Sequence, residues 1–276
     1  MSALVARELP EAHDSLALGL RGERALAQLG PLTTARQAAP YRRILVATGL
    51  TACDCYGGAV LRACIDRHLA THRENRAQIW EPKDPEVWSR VHDLLSPLPA
   101  GCELVEDQPR PQRNRDIVVP AMRVEDPEMA GLLGHTIVRA GVALGVDASP
   151  ARAVAQALAT LAENAREHAV DSSLGALVAC ALENPTNELH ALALDLGGAL
   201  ASSEDPPARL REALARSRAQ LGGLASLILL AERRGLDATL RLASGPARAR
   251  WRTSDRVRYE EGAPVPGFVA SFSVRL

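Results

Sequence analysis

Lysine is almost absent from this 276-residue chain: Lys83 stands alone, so 31 of the 32 basic residues are arginine. Lys83 lies between Pro82 and Asp84, whereas a P-loop needs its lysine between Gly and Ser or Thr. The strand lysine of the eukaryotic-type protein kinases has no convincing counterpart either. The sequence therefore excludes a P-loop NTPase and argues against a kinase of that type.

Net charge and long apolar runs are lacking as well. The 32 basic and 33 acidic residues nearly cancel, which gives no general attraction to nucleic acid or to an anionic membrane. No apolar run reaches the ~18 residues needed to span a bilayer, and the first residues lack the basic and apolar regions of a secretory signal. We therefore expect a cytoplasmic protein without nucleic-acid or membrane partners.

The five cysteines include no Cys-x-x-Cys pair, which argues against a disulfide framework and agrees with a reducing cytoplasm. Cys64, His68 and His72 are spaced four residues apart on one predicted helix, and such a set could bind zinc. The alternative, which we favour, places Cys64 in the core and both histidines at the exposed end of the helix.

The chain is about twice the usual length of a domain, which predicts two of them. Residues 1–39 show scattered helical spacing and predict a poorly defined N-terminal arm or short helix. Residues 40–106 alternate strand and helix patterns, as in a small α/β unit. Residues 107–115 contain no apolar side chain except proline and predict a linker to a second unit, 116–276.

Hydrophobic periodicity predicts the elements of both units. In the first, strands are expected at 44–48, 77–80 and 102–105, with helices at 59–72 and from Pro85, where Asp84 is the N-cap. In the second, helices are expected at 129–144, 149–169, 207–220 and 224–234. Strands are expected at 176–182 and 189–194, then a hairpin of 239–242 with 247–252, and a last strand near 268–275. For these helices and strands, the natural packing places the helices on one face of a mixed sheet.

Polar residues interrupt the apolar stripe late in the second of these helices, at 163–168, where the sequence is Glu-Asn-Ala-Arg-Glu-His. Asn164 and His168 are four residues apart and share a helix face. An amide oxygen from Asn164 can bind Mg²⁺, and a neighbouring Glu163 can activate water. Taken alone, the segment is better interpreted as a solvated helix face.

The segment resembles the N-box of the histidine-kinase-like (GHKL) ATPases, in which Glu-Asn-Ala-x-x-His-Ala recurs. The sequence at 194–199 is similar to the Asp-x-Gly-x-Gly box of that family, 222–227 to its second glycine box, and 239–246 to the strand and turn that follow. The resemblance covers 116–276. The long helix pair before the N-box, with no upstream phospho-acceptor pair, looks most like the anti-sigma-factor serine kinase branch.

This resemblance implies an α+β sandwich of the Bergerat type that binds ATP and Mg²⁺. Asn164 would coordinate the metal, Glu163 would be the catalytic base, and Asp195 would accept the amino proton of adenine. Gly197 would allow close approach of the base, and Gly223 would present backbone amides to phosphate. The implied nucleotide-binding residues are Asn164, His168, Asp195, Gly197, Gly223, Leu224 and Thr239.

Several positions depart from the family pattern. Alanine replaces glycine at Ala199, Ala225, Ala247 and Ala249, and Arg250 stands where a threonine usually helps to hold adenine. Arg250 could meet phosphate or fill the pocket with its own side chain. Two functions therefore stay open: an ATP-binding regulator that switches a protein partner, with hydrolysis or phosphate transfer undecided, and an inactive GHKL scaffold that acts as a protein-interaction module. The joint retention of Glu163, Asn164, Asp195 and Gly197 favours the first.

The first unit resembles a STAS domain of the anti-sigma-antagonist kind over about 40–106. That family carries Asp-Ser-Ser-Gly at a helix start, where the helix dipole favours a phosphoserine. Here Asp54 is followed by Cys55 and Tyr56, so the usual serine phospho-switch cannot operate at this position. Together the two resemblances imply a regulatory protein with a protein partner, and they allow a homodimer.

Overall fold

The computed structural model describes residues 9–16, 19–33, 39–105, 114, 116–168, 176–184, 186–196, 208, 211–212, 214–215, 223–253 and 255–276. The strands are β1 (Glu11–Ser15), β2 (Gly19–Leu20), β3 (Arg42–Val46), β4 (Ala52–Cys53), β5 (Arg76–Trp80), β6 (Cys102–Val105), β7 (Ile117–Val124), β8 (Ala176–Glu183), β9 (Glu188–Asp195), β10 (Ala238–Arg252) and β11 (Arg258–Arg275). The helices are α1 (Gly22–Thr33), α2 (Cys55–Thr71), α3 (Pro85–Leu95), α4 (Pro127–Ala143), α5 (Ala148–His168) and α6 (Gly223–Arg233). The protein is thus of mixed α/β class, as predicted.

The N-terminal half is built on a parallel sheet with strand order β1-β3-β5-β6. Helices α1, α2 and α3 connect successive strands of this sheet, and right-handed crossovers place such helices on one face. The start of α3 confirms the sequence signal, because Asp84 Oδ1 accepts hydrogen bonds from the backbone N–H groups of Glu86 (2.8 Å) and Val87 (3.3 Å).

Residues 11–15 form the edge strand β1 and residues 22–33 form α1, within the segment for which the sequence predicted an arm or short helix. β1 pairs in parallel with β3, from Glu11 opposite Arg42 to Ser15 opposite Val46. Its sequence is mostly polar, and its buried side chain Asp14 accepts a hydrogen bond from Arg43 Nε at 2.6 Å. A buried ion pair therefore takes the place of the apolar alternation that usually marks a strand.

The second sheet has the strand order β10-β11-β9-β8-β7 and is antiparallel throughout the described strands. Helices α4, α5 and α6 cover one face, as predicted, around a core that includes Leu158, Leu227 and Phe272. The expected mixed pairing was wrong. The predicted hairpin within 239–252 was also wrong, because β10 continues through a bulge at Gly245, where a φ of 52° is accessible to glycine.

The other face of this antiparallel sheet is covered by α1, α2 and α3, which pack against β7, β8, β9 and β11. One hydrophobic cluster joins Leu61 of α2 and Leu94 of α3 with Leu192 and Val269 of the sheet. The order of layers is therefore parallel sheet, helices, antiparallel sheet, helices. The predicted unit boundaries at 40–106, 107–115 and 116–276 stay a prediction, and the two sets of elements share a core.

None of the helices in the described ranges is both long and apolar enough to cross a membrane.

Candidate functional site

The N-box segment forms the last turns of α5, where Glu163 is exposed and Asn164 is partly buried. The side-chain nitrogen of Asn164 donates to the Thr160 carbonyl at 2.7 Å. This contact uses the amide nitrogen, so it does not engage the amide oxygen that the Mg²⁺ prediction requires. His168 is the last residue of α5, and its side chain lies outside the described part of the structure.

Asp195 is the final residue of β9, and 2% of its surface is exposed. Side chains alternate along a strand: Leu192 faces α1–α3, whereas Ala193 belongs to the cluster under α4–α6. Asp195 therefore lies on the same face of the sheet as Ala193 and as α5, which packs directly on β9. A carboxylate in this environment needs hydrogen-bond donors.

Gly267 is a site residue that sequence reasoning missed. It has a φ of 86°, and a Cβ atom placed there would lie 1.8 Å from the backbone oxygen of Asp195. Glycine at this position thus allows β11 to pass next to the end of β9. The Pro266-Gly267 dipeptide was the available signal, since this pair marks a backbone irregularity.

Gly223 begins α6 with a φ of 51°, so this helix has the predicted start. Leu224 is buried in the core under α4–α6, which leaves its backbone N–H as the group that could meet a ligand. The hydroxyl of Ser226 donates to the carbonyl of Gly223 at 2.6 Å. α6 also packs on α5. Gly197 lies outside the described residues, as does Ala199.

Thr239 is not brought together with Asp195. On β10, Thr239 points to the same face of the sheet as Arg241 and Ala243, which follow it at intervals of two residues. Ala243 belongs to the cluster that faces α1–α3. Leu240, between them, points to the opposite cluster. The structure therefore places Thr239 on the other face of the sheet, because the strand period of two decides which side each residue takes.

The alanines that replace family glycines are mostly core residues here. Ala225, Ala247 and Ala249 are buried in strand or helix, not in loops around an open pocket. The space beside Ala249 is too narrow for a water molecule, and its lining is apolar: Leu214, Ile228, Leu240, Leu242, Ala249, Trp251 and Val257. Arg250 is exposed and does not fill this space.

Two of the three possible zinc ligands are engaged in hydrogen bonds with backbone carbonyl groups. Cys64 is buried, and its thiol donates to the Leu32 carbonyl at 3.2 Å. His68 is buried as well, with Nε2 2.8 Å from the Arg76 carbonyl oxygen, so its predicted position at an exposed helix end was wrong. His72 is exposed. Within the described ranges no three His, Cys, Asp or Glu side chains form a group that could hold a metal ion.

The start of α2 shows an arrangement that the sequence did not predict. Asp54 caps the helix by accepting from the Gly57 N–H at 3.0 Å. A second carboxylate, that of Glu183 at the end of β8, accepts from the Cys55 N–H at 3.1 Å and from Arg90 at 2.7 Å. An acidic side chain of the antiparallel sheet thus occupies the position where a helix N-terminus favours an anion.

No protein-family model matches the chain, and comparison with curated proteins and with solved structures found no match either.

Proposed function

We propose that this protein is an ATP-binding regulator of the GHKL type that switches a protein partner. The observation that carries the proposal is the burial of Asp195 at the end of β9, on the face of the sheet against which the N-box helix α5 packs. Asp195 would then accept from the adenine amino group, and Asn164 would bind Mg²⁺, on one side of the same sheet.

The order of elements also supports this proposal. Helices α4 and α5 precede the antiparallel pair β8 and β9, and α6 and the pair β10 and β11 follow. The N-box, the aspartate and the second glycine box stand at the end of α5, the end of β9 and the start of α6. Since α5 packs on both β9 and α6, the elements that carry the three motifs are neighbours. This supports the arrangement that the GHKL resemblance implies.

The residues present fit ATP·Mg²⁺, which would supply the transferable phosphoryl group. The amide oxygen of Asn164 is a hard ligand suited to Mg²⁺, and the α6 amides at Gly223 suit a phosphate. Glu163, exposed at the same helix end, would accept the proton of an attacking hydroxyl or water. Asp195 would fix the base by a hydrogen bond at a buried position.

The second candidate is an inactive scaffold that acts as a protein-interaction module. The observation that favours it is the closed apolar space beside Ala249, where methyl groups and Trp251 leave no room for a ligand. In that case the fold would be retained for its surface, and the protein partner would bind without nucleotide.

Calorimetric titration with a non-hydrolysable ATP analogue, with and without Mg²⁺, separates the two. We expect micromolar binding that requires Mg²⁺. The affinity should fall about tenfold or more in Asn164→Ala, because a hydrogen bond to a charged group contributes about 1.5–3 kcal/mol and the contact of the amide with the metal is of a similar kind. Gln156→Ala, an exposed position of the same helix, is the matched control and should bind as the wild type does.

Either of two results would contradict the nucleotide proposal. One is the lack of binding at about 1 mM nucleotide, which corresponds to a binding free energy weaker than about −4 kcal/mol. The other is binding that Asn164→Ala leaves unchanged. The first result would direct the work to capture of a protein partner by the scaffold.

A further inference from the structure

A cleft of about 360 Å³ opens between the start of α2 and the antiparallel sheet. Its polar lining includes Arg21, Asp54, Glu183, Glu188, His190 and Arg241. His190 and Asp195 are five residues apart on β9, so their side chains lie on opposite faces of the sheet. The cleft is therefore separate from the proposed nucleotide site.

The carboxylates of the cleft already have partners. Asp54 accepts from the backbone N–H of Gly22 at 2.9 Å in addition to its capping bond. Glu183 caps α2 and pairs with an arginine, as described above. Glu188 lies 4.0 Å from the guanidinium of Arg275. The acidic groups are thus engaged by the protein, and a ligand would have to compete for them.

The two arginines of the cleft are not paired with its carboxylates. Neither Arg21 nor Arg241 forms an ion pair with a carboxylate of the described residues. Arg241 is half-buried and shares a hydrogen bond with the side chain of Tyr56, whose hydroxyl also lies 2.6 Å from Ser271 Oγ. This bond engages part of the guanidinium of Arg241. A guanidinium presents several fixed N–H donors that match carboxylate and phosphate oxygens. Two such groups at one cleft favour an anionic ligand.

His190 adds a hydrogen-bonding group that the protein does not satisfy. It is 4% exposed, and its Nε2 has no hydrogen-bond partner in the described part of the chain. Burial, and secondly the charge of Arg241, lowers the pKa of His190 to about 3, so the imidazole is neutral at pH 7. Its ring packs edge-on against Tyr56 with centroids 5.1 Å apart. A buried nitrogen of this kind is normally hydrogen-bonded.

We propose that this cleft binds a small organic anion that also carries a hydroxyl group, of the class of hydroxycarboxylates and sugar or glycerol phosphates. The oxyanion lies against Arg241 and Arg21, and the hydroxyl pairs with His190 Nε2. A hydroxyl both donates and accepts, so it satisfies that nitrogen in either tautomer. The volume is in the range of small-molecule sites and larger than an inorganic ion requires.

The position of the cleft gives such a ligand a structural consequence. One wall belongs to the starts of α1 and α2, and the other to β8, β9 and β10 of the antiparallel sheet. A molecule held by Arg21 and Arg241 together therefore connects the two layers, and its binding stabilises their packing.

The test is calorimetric titration of the full chain with glycerol 3-phosphate, with malate and with neutral glycerol. We expect one or both anions to bind and glycerol not to bind. Arg241→Gln should weaken anion binding about tenfold or more, because a charge-assisted hydrogen bond contributes about 1.5–3 kcal/mol. Arg21→Gln, at the exposed rim, should weaken it in the same direction without disturbing the core.

The matched control is Arg139→Gln, an exposed position on α4, which should bind the anion as the wild type does. Nitrogen-15 spectra of histidine-labelled protein locate the ligand, since its addition should move the resonances that disappear in His190→Asn. No binding of either anion at about 10 mM, equal affinity in Arg241→Gln, or unmoved His190 resonances would overturn the proposal. Asn164→Ala should leave anion binding unchanged, so this result and that of the nucleotide titration are independent.

Discussion

The two faces of the antiparallel sheet are packed by different means. Under α4–α6 the contacts are apolar almost throughout, with Ile137, Leu158, Leu227 and Phe272 among the fully buried side chains. Under α1–α3 the sheet is apolar near one end. Near the other end it carries buried polar side chains: His190, Thr239, Ser271 and Ser273.

This difference changes how each face of the sheet is stabilised. The apolar face needs only complementary volume and gains stability from burial. The mixed face buries polar groups, whose burial costs free energy unless each has a partner. Hydrogen bonds supply such partners: the Tyr56 hydroxyl pairs with that of Ser271, and Arg123 Nε donates to the Asp66 carboxylate at 2.9 Å. Polar contacts fix one arrangement of the layers and leave a cleft where the pairing is incomplete.

The largest effect is expected at the edge of the apolar face. Gly267→Ala forces a Cβ against the Asp195 backbone and a side chain into a φ of 86°, so the free energy of unfolding should fall by about 3 kcal/mol or more. Urea denaturation measures the change. Gly235→Ala is the matched control, since Gly235 has a φ of 61° but open space around it, and about 1 kcal/mol is expected there. Equal losses in the two variants would show that the contact with Asp195 is unimportant.

A smaller loss is expected where the mixed face meets α2. Glu183→Ala leaves Arg90 and the Cys55 N–H without their 2.7 and 3.1 Å partners, at a cost of about 2–3 kcal/mol in urea denaturation. Glu188→Ala removes a carboxylate five residues away whose nearest arginine is 4.0 Å distant, so its cost should stay below about 1 kcal/mol. A Glu183 variant as stable as the Glu188 variant would mean that the layers do not depend on this contact.

A further effect is a pH dependence at the start of α2, where the mixed face meets the helices. Burial, with the charge of Glu183 added, raises the pKa of Asp54 to about 6 from an ordinary value of 3.8. The folded state then binds a proton more tightly than the unfolded state, so the contribution of Asp54 to stability is full below about pH 4 and is lost as the pH rises through about 6.

Urea denaturation from pH 4 to 7 tests this slope. Asp54→Asn keeps an N-cap side chain. The stability of the wild type relative to this variant should fall as the pH rises over that range, because the variant lacks the titration of Asp54. Asp84→Asn makes the same exchange at the exposed cap of α3 and calibrates the cost of replacing a capping carboxylate by an amide. Parallel pH curves for the wild type and Asp54→Asn would contradict the raised pKa.

Local patterns were sufficient for much of the fold. Asp84 and Pro85 mark the start of α3 correctly, and the apolar spacing before the N-box predicts α5 to within one residue at each end. β8 and β9 follow from two apolar runs around a turn. These signals depend on neighbours within a few residues, so they can be read without knowledge of the rest of the chain.

Other elements depend on partners far away in the chain. β1 is a strand because Asp14 meets Arg43 and its backbone pairs with β3, which no pattern within 11–15 shows. β10 continues through Gly245 because β11 pairs with it on both sides of the bulge.

The candidate sites divide in the same way. The sequence by itself determined the residue types and their order, Glu163, Asn164, Asp195 and Gly223 on successive elements, because motif and helix-start signals are local. Only the tertiary structure decided that Asp195 is buried on the α5 side and Thr239 on the other. It also brought Glu183 to the start of α2 across 128 positions of sequence. The reason is physical: strand register and layer packing set which side chains meet, and both depend on contacts that sequence spacing does not encode.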